Sequence, residues 1–257
     1  MGRERAGYGL PVHDELQELW LLRHGQSLGN LANDAARDRP TDVLDIADRD
    51  MDVPLSDLGI EQATAFGTWL GEQPSDARPD VIVSSPYARA LGTARHVAEA
   101  AGLEVEIVFD ERLREREFGI LDLLTHRGVV ATYPTEATRR DRIGKFYYRP
   151  PGGESWVDVA LRLRSLRDSL VREHADRRVL LVTHEVPIII TRYLVERLDE
   201  DGALDLSRSG RLANCSLTTY VRDHDGELRL DRDAWTVPLE EEDAPVTDEP
   251  DAAVAPR

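Results

Sequence analysis

Cysteine is almost absent from this 257-residue chain, and Cys215 is its only one. A single thiol excludes an internal disulfide framework, leaves no thiolate cluster for a structural zinc site, and fits a reducing compartment best. Positive charge is also scarce: 32 Lys and Arg stand against 49 Asp and Glu, a formal charge of −17 at pH 7. Polyanions are bound by neutralising their phosphates with Lys and Arg, so neither nucleic acid nor an anionic membrane surface is an expected partner. Long apolar runs are missing too. The opening MGRERAGYGLPVHDELQ holds no signal-peptide core, and nowhere is there an uninterrupted stretch long enough for a membrane span. A soluble, cytoplasmic protein is the expectation.

Several phosphate-handling signatures are absent as well. No GxxxxGK(S/T) loop is present for nucleotide phosphates. Arg222 follows Cys215 one residue too late for a Cys-x5-Arg phosphatase loop, and Asp50 and Asp52 lack the apolar strand that precedes an aspartyl nucleophile. No His/Asp cluster has metal-ligand spacing, so neither a metal nor another cofactor is expected.

What is present is an alternation of short apolar runs with helical patterns, the mark of a sheet built from βα units. LWLL (residues 19 to 22), residues 81 to 83, residues 105 to 109 and residues 179 to 182 read as strands. Residues 217 to 221 and 228 to 230 read as a closing hairpin. Helical spacing links Ile60, Ala63, Phe66 and Leu70, then Tyr87 through Ala101, then Val159, Leu163, Leu166 and Leu170, and finally residues 187 to 198. Ser85 and Pro86 fit an N-cap and first helical position, and Ser155 with Asp158 fits a capping box. The Asp-rich stretch from 32 to 52 shows no period and reads as a long loop or irregular helix. The fold class is α/β: a three-layer α/β/α sandwich with a mainly parallel central sheet and an antiparallel edge. The catalytic domain is expected over residues 1 to 237. Residues 238 to 257, acidic and proline-containing, read as a disordered tail.

Two histidines occupy equivalent places, His24 one residue after LWLL and His184 one after VLLV. Ligands of open α/β sheets collect at the carboxyl ends of strands, so two imidazoles there can share a pocket. Arg23 precedes His24, Arg89 falls in the first turn after strand 81 to 83, and Glu115 follows strand 105 to 109, all at the same edge. Such a set suits a phosphoryl group. Guanidinium forks match phosphate oxygens, a neutral imidazole nitrogen can attack phosphorus, and a carboxylic acid can protonate the leaving oxygen. Glu117 would share Glu115's face if the segment were a strand, so both remain candidates for that acid. His13, His96, His126, His174 and His224 have no such context.

In these residues the chain resembles the histidine phosphatase superfamily, also called phosphoglycerate mutase-like. The resemblance runs in order through LLRHGQSLGN, VPLSDLGIEQA, SSPYARALGTA, LREREFG, PPGGESWVDVALR and LLVTHEVPI, from about Leu19 to Ile190. It implies that His24 is the nucleophile that becomes phosphohistidine. It further implies that Arg23, Asn30, Arg89 and His184 bind phosphoryl oxygens, and that Glu115, four residues before Gly119, is the acid. Gln26, Ser27, Glu185, Tyr147 and Tyr148 are candidates for the substrate mouth, although the tyrosine pair before two prolines can equally be packing within a loop. The helix carrying Arg162 and Arg164 is scaffold on this reading.

Two departures shape the expected function. Glu185 stands where the family usually has a small residue, and would place a carboxylate near the phosphate. After Gly119 the chain has ILDLLTHRG in place of the block that surrounds phosphoglycerate in the mutases. A phosphomonoester hydrolase acting on a small phosphorylated metabolite is therefore expected ahead of a phosphomutase or a non-catalytic phospho-ligand sensor. No feature of the sequence sets the oligomeric state.

Overall fold

The computed structural model describes residues 15 to 210 and 212 to 248. His13 and residues 249 to 257 of the acidic tail lie outside them. Among the described residues six strands form one sheet: β1 (Glu18–Arg23), β2 (Val81–Ser84), β3 (Ile107–Phe109), β4 (Arg178–Thr183), β5 (Leu217–Arg222) and β6 (Leu228–Trp235). Their order is β3-β2-β4-β1-β5-β6. The first four in that order run parallel, and β5 and β6 add an antiparallel edge.

Helices cover both faces, as a parallel sheet buried on two sides requires. They are α1 (Leu28–Asp38), α2 (Asp57–Glu72), α3 (Ala88–Ala100), α4 (His126–Thr132), α5 (Pro134–Ile143), α6 (Trp156–His174), α7 (Glu185–Val195), α8 (Glu200–Ser209) and α9 (Val237–Glu241). Strand alternation sorts the core. Leu19, Leu21, Val179 and Leu181 face α6 and α7 through Leu163, Leu166, Ile188 and Ile189. Trp20, Leu22, Leu180 and Val182 face α2 and α3 through Phe66, Leu70, Ala94 and Val97. Among the described residues no helix is long and apolar enough to cross a membrane.

Caps explain where several helices begin. Ser155 and Asp158 form a reciprocal capping box on α6, and Ser56 caps α2 by accepting from the Gly59 amide. Two expectations need correction. The stretch from residue 32 continues α1 up to Asp38, because Ser27 and Asn30 make a capping box that starts a helix there. The third helix begins at Ala88 after Tyr87, not at Ser85 and Pro86. Ser85 remains at the strand end, where its hydroxyl has another partner.

The expected disordered tail is also corrected for residues 238 to 248. Pro238 and Leu239 of α9 are buried, Ala244 is buried, and the Leu239 and Ala244 side chains join the α2–α3 core. A few well-placed apolar side chains outweigh the acidic composition that suggested disorder. Asp223, His224 and Asp225 come together in the turn after β5. Because β5 runs antiparallel to β1, that turn sits at the opposite sheet edge from His24.

Candidate active site

Strand register builds the site. Leu22 and Ser84 both pair with Val182, and Arg23 pairs with Thr183, so His24, His184 and Ser85 leave three adjacent strands at one level. The His24 and His184 ring centroids are 5.1 Å apart at 62°. Both residues are wholly buried. His24 Nδ1 lies 2.7 Å from the Gly25 carbonyl oxygen. A carbonyl can only accept, so Nδ1 carries the proton and Nε2 keeps its lone pair. Arg89 Nε donates to that nitrogen at 3.3 Å. His184 Nε2 lies 2.8 Å from the Ser85 hydroxyl, and the Tyr87 ring packs edge-on against His184 at 5.2 Å.

The loop carrying His24 is clasped from several directions. Its amide donates to the Thr183 carbonyl, and its own carbonyl accepts from Asn214 Nδ2 at 3.1 Å and from the Cys215 amide at 3.3 Å. Cys215 adopts a left-handed backbone (φ 53°) at this contact, and its buried thiol is pushed far above the usual range by burial. Asn214 Oδ1 in turn accepts from Thr247 Oγ1 at 3.0 Å, and Gln62 donates to Pro245 and Thr247. Gly25 and Gly59 let two backbones touch: a Cβ on Gly59 would sit 1.9 Å from the Gln26 carbonyl oxygen, and one on Gly25 would sit 2.4 Å from that of Gly59. No other residue type fits either place without backbone movement.

Of the residues expected at the mouth, Gln26 and Ser27 are buried in this clasp. Gln26 Oε1 accepts from Ser56 Oγ, and Ser27 caps α1 with Asn30. Asn30 Oδ1 also accepts from Asn214 Nδ2 at 3.4 Å. Arg23 is buried and donates to the Leu212 carbonyl at 2.5 Å. Arg89 holds Asp50 through the Asp50 carbonyl at 2.6 Å and through its carboxylate at 3.1 Å.

Glu115 reaches the same edge because Thr183 Oγ1 donates to the Leu113 carbonyl at 2.7 Å, tying the segment to the end of β4. Its carboxylate accepts from the Arg116 amide at 2.6 Å and the Val186 amide at 3.4 Å. Arg162, which sequence reasoning left as scaffold, donates to the carbonyls of Arg112 and Glu115 and to the Glu154 carboxylate. Glu117 separates from Glu115, for residues 114 to 118 are not a strand and the shared-face argument does not apply. Glu115 is buried, whereas Glu117 is exposed and accepts from the Tyr87 hydroxyl at 2.8 Å. Burial and this carboxylate push the Tyr87 phenol far above its usual range.

A cavity of about 420 Å³ opens beside this cluster, with Arg23, Glu115, Arg116, Tyr148 and Glu185 in its wall. Tyr147 is not part of that wall. It is exposed and donates to Glu200 from the turn at residues 145 to 147, which the Tyr148 amide closes on the Gly144 carbonyl while the Tyr148 ring is buried. Lys145, Trp156 and Arg140 line the cavity unannounced by any sequence motif.

Comparison with known proteins agrees with this geometry. A glucosyl-3-phosphoglycerate phosphatase of Mycobacterium tuberculosis is 36% identical over 178 residues, 65% of this chain and 70% of that protein. The 2,3-bisphosphoglycerate-dependent phosphoglycerate mutase 2 of Gloeobacter violaceus is 36% identical over 169 residues, 65% of this chain and 69% of its own. The structure of a mycobacterial glucosyl-3-phosphoglycerate phosphatase in complex with VO3 matches with a TM-score of 0.64 at 31% identity, covering 85% of this chain and 99% of that one. The family model of the histidine phosphatase superfamily, branch 1, matches residues 19 to 233, and the chain belongs to that superfamily.

Proposed function

We propose that this protein is a metal-independent phosphomonoester hydrolase that works through a phosphohistidine on His24. The observation that carries the reading is the tautomer: Nδ1–H is committed to the Gly25 carbonyl, which leaves Nε2 as the nucleophile among Arg89, His184 and Arg23. In the first step Nε2 attacks phosphorus as the ester P–O bond breaks, and Glu115, protonated, gives its proton to the departing alkoxide. In the second step ionised Glu115 takes a proton from water, whose oxygen attacks phosphorus. The P–N bond breaks, and inorganic phosphate leaves with Nε2 restored. Arg23 and Arg89 hold the phosphoryl oxygens, with Asn30 and His184 completing the set. Guanidinium groups carry the charge compensation in this scheme, which is the work a divalent ion does in other phosphoryl-transfer sites. To bind phosphate, Arg89 must exchange its Asp50 carboxylate contact for a phosphoryl oxygen. A cytoplasmic setting fits the buried, unpaired Cys215.

The test is rapid quench with ³²P-labelled phosphomonoester. The wild-type chain should form an acid-labile label that turns over, and His24→Ala should lose labelling and turnover together. Label surviving in His24→Ala overturns the assignment. Activity should withstand dialysis against EDTA, and a loss restored by Mg²⁺ would overturn the metal-independent part. The likeness to a mutase supports a second reading, transfer from phospho-His24 to a phosphorylated acceptor. Product analysis separates the two, since a hydrolase yields inorganic phosphate whether or not an acceptor is present.

A further inference from the structure

The groups that the proposed reaction sets around the phosphoryl oxygens, Arg23, Asn30, Arg89 and His184, are all buried, as is His24 itself. The fork of Arg89 is engaged by the chain. Its Nε donates to His24 Nε2 at 3.3 Å, Nη1 lies 3.1 Å from one Asp50 carboxylate oxygen, and Nη2 donates to the other at 3.2 Å. Nη1 also donates to the Asp50 carbonyl at 2.6 Å. Two parallel contacts to two oxygens are the geometry in which a guanidinium takes either a carboxylate or a phosphate. The Asp50 carboxylate thus occupies the donors that a phosphoryl group on His24 would use.

Of the two partners, Asp50 is the one built to move. Arg89 stands in the first turn of α3, and its guanidinium lies 5.3 Å from the centre of the Tyr87 ring, which packs on His184. Its side chain is 3% exposed, against 33% for that of Asp50. The segment carrying Asp50 is moored at both ends. At one end the Leu44 amide donates to the Leu123 carbonyl and the Thr125 amide to that of Asp42; at the other the Leu28 amide donates to the Pro54 carbonyl and the Ser56 amide to that of Gln26. Between these moorings residues 47 to 49 are exposed, and the backbone bonds among the described residues are local, from Ile46 to Leu44 and from Asp52 to Arg49. Stretches with so few buried contacts open at the lowest cost in a folded protein.

We propose that Asp50 is an internal competitor for phosphate: its carboxylate holds the Arg89 fork while the site is empty, gives way to the phosphoryl group of an arriving ester, and returns to Arg89 as inorganic phosphate leaves. This rests on the proposed function, which makes Arg89 a phosphate ligand. A buried guanidinium left uncompensated is strongly unfavourable, so a site emptied of phosphate needs a replacement anion. The same replacement weakens the hold on product, because phosphate binds only the fraction of molecules whose fork is open. Asp50 also bears on its surroundings through charge. Burial raises the Asp122 carboxyl and the Asp50 charge adds to the shift, so Asp122 is a second acid within range of the same place.

The experiment titrates inorganic phosphate into the purified chain by calorimetry and, in parallel, measures phosphate as a competitive inhibitor of p-nitrophenyl phosphate hydrolysis. Asp50→Asn keeps the size of the side chain and the carbonyl contact to Arg89 but removes the charge. It should tighten phosphate about fivefold or more in both measurements, the scale of a partly exposed, charge-assisted pair. Asp50→Ala should tighten it too, and Asp50→Glu, which restores a carboxylate, should lie closer to wild type than either. Damage to the fold weakens binding, so it cannot imitate a gain. Asp122→Asn removes a nearby charge and leaves the fork closed, and should tighten phosphate less than about twofold. A gain in Asp122→Asn equal to that in Asp50→Asn overturns direct competition in favour of a general relief of negative charge. Unchanged or weaker phosphate binding in both Asp50→Asn and Asp50→Ala overturns the competitor while an active wild-type chain leaves the phosphatase standing. If the wild-type chain neither binds phosphate nor hydrolyses p-nitrophenyl phosphate, the phosphatase reading has failed and the competitor fails with it.

Discussion

The floor of the site and the wall of its cavity are built on different terms. The floor consists of His24, Ser85 and His184 at the ends of β1, β2 and β4, with Arg89 in the first turn of α3, all buried. Ladder register sets their spacing, so none of them can shift without disturbing the sheet. The wall comes from 3-10 turns, short helices and loops between Glu115 and Trp156, together with the starts of α7 and the end of α8. Its charges repel one another, whereas the floor's groups are mutually hydrogen bonded. The difference separates chemistry from choice: substitutions in the floor should stop the reaction, and those in the wall should change which ester reacts.

The sharpest way to break that division is at Glu115, a wall residue to which the proposed reaction gives a part in the chemistry. Glu115→Gln should slow alkyl phosphates about 10²-fold to 10⁴-fold more than p-nitrophenyl phosphate, whose phenolate leaves with little protonation. Glu117→Gln should show no such difference, and a reversed pattern in the two variants would assign the acid to the other carboxylate. Arg162 tests whether the wall's backbone positions that acid. Arg162→Met should lower kcat for alkyl phosphates by about tenfold to a hundredfold with a smaller change in KM, the scale expected of a misplaced catalytic group. An equal loss on p-nitrophenyl phosphate would show general structural damage instead.

Gly59 probes the floor's rigidity. Gly59→Ala forces a Cβ into the Gln26 carbonyl, and urea unfolding should report a loss of roughly 1 to 3 kcal/mol or more, as overpacking does elsewhere. The smallest effects belong to Lys145. With its folded value near 8, below the ordinary lysine value, the charge is disfavoured by folding at every pH below about 8. The stability penalty should fade as pH rises through 8 toward the unfolded value. Lys145→Met should accordingly gain on the order of 1 kcal/mol at pH 7, measured by urea unfolding. The charged groups acting on Lys145 are Glu185, Arg140, Arg116 and Arg208. Glu185→Gln should therefore make the penalty fade at lower pH, and a fade that stays in place would show that Glu185 does not act on Lys145.

Legibility in the sequence follows the same division. His24 and His184 were readable because each follows an unbroken apolar run, and such runs become buried strands with ligands at their ends. Arg89 was readable from its distance to a strand, and the sheet's parallel body and antiparallel edge followed from the order of the runs. Ser85 was misread as a cap, since a serine before proline looks the same whether its hydroxyl meets an amide of the next helix or an imidazole from another strand. Asn214, Gln62 and Arg162 carried no signal, because their partners are distant in sequence. Trp156 and Lys145 carry no motif that singles them out in the sequence. Their place in the cavity depends on segments far apart in the chain. Residues 238 to 248 show the limit of composition: their acids outvote a buried leucine and alanine on paper, but not in the fold.

The hydrogen-bond chain from Thr247 through Asn214 to the His24 carbonyl bears on how the enzyme comes into being. It links positions 190 residues apart at one step, and the parallel link from Gln62 to Thr247 spans 185. Contacts this remote close only after most of the loop entropy between them has been lost, which makes them late events in folding. His24 thus has its loop braced by residues that lie far downstream in the chain. During refolding, secondary structure should return before phosphate-releasing activity does, and proteolytic removal of residues 245 to 248 should disarm an otherwise folded sheet.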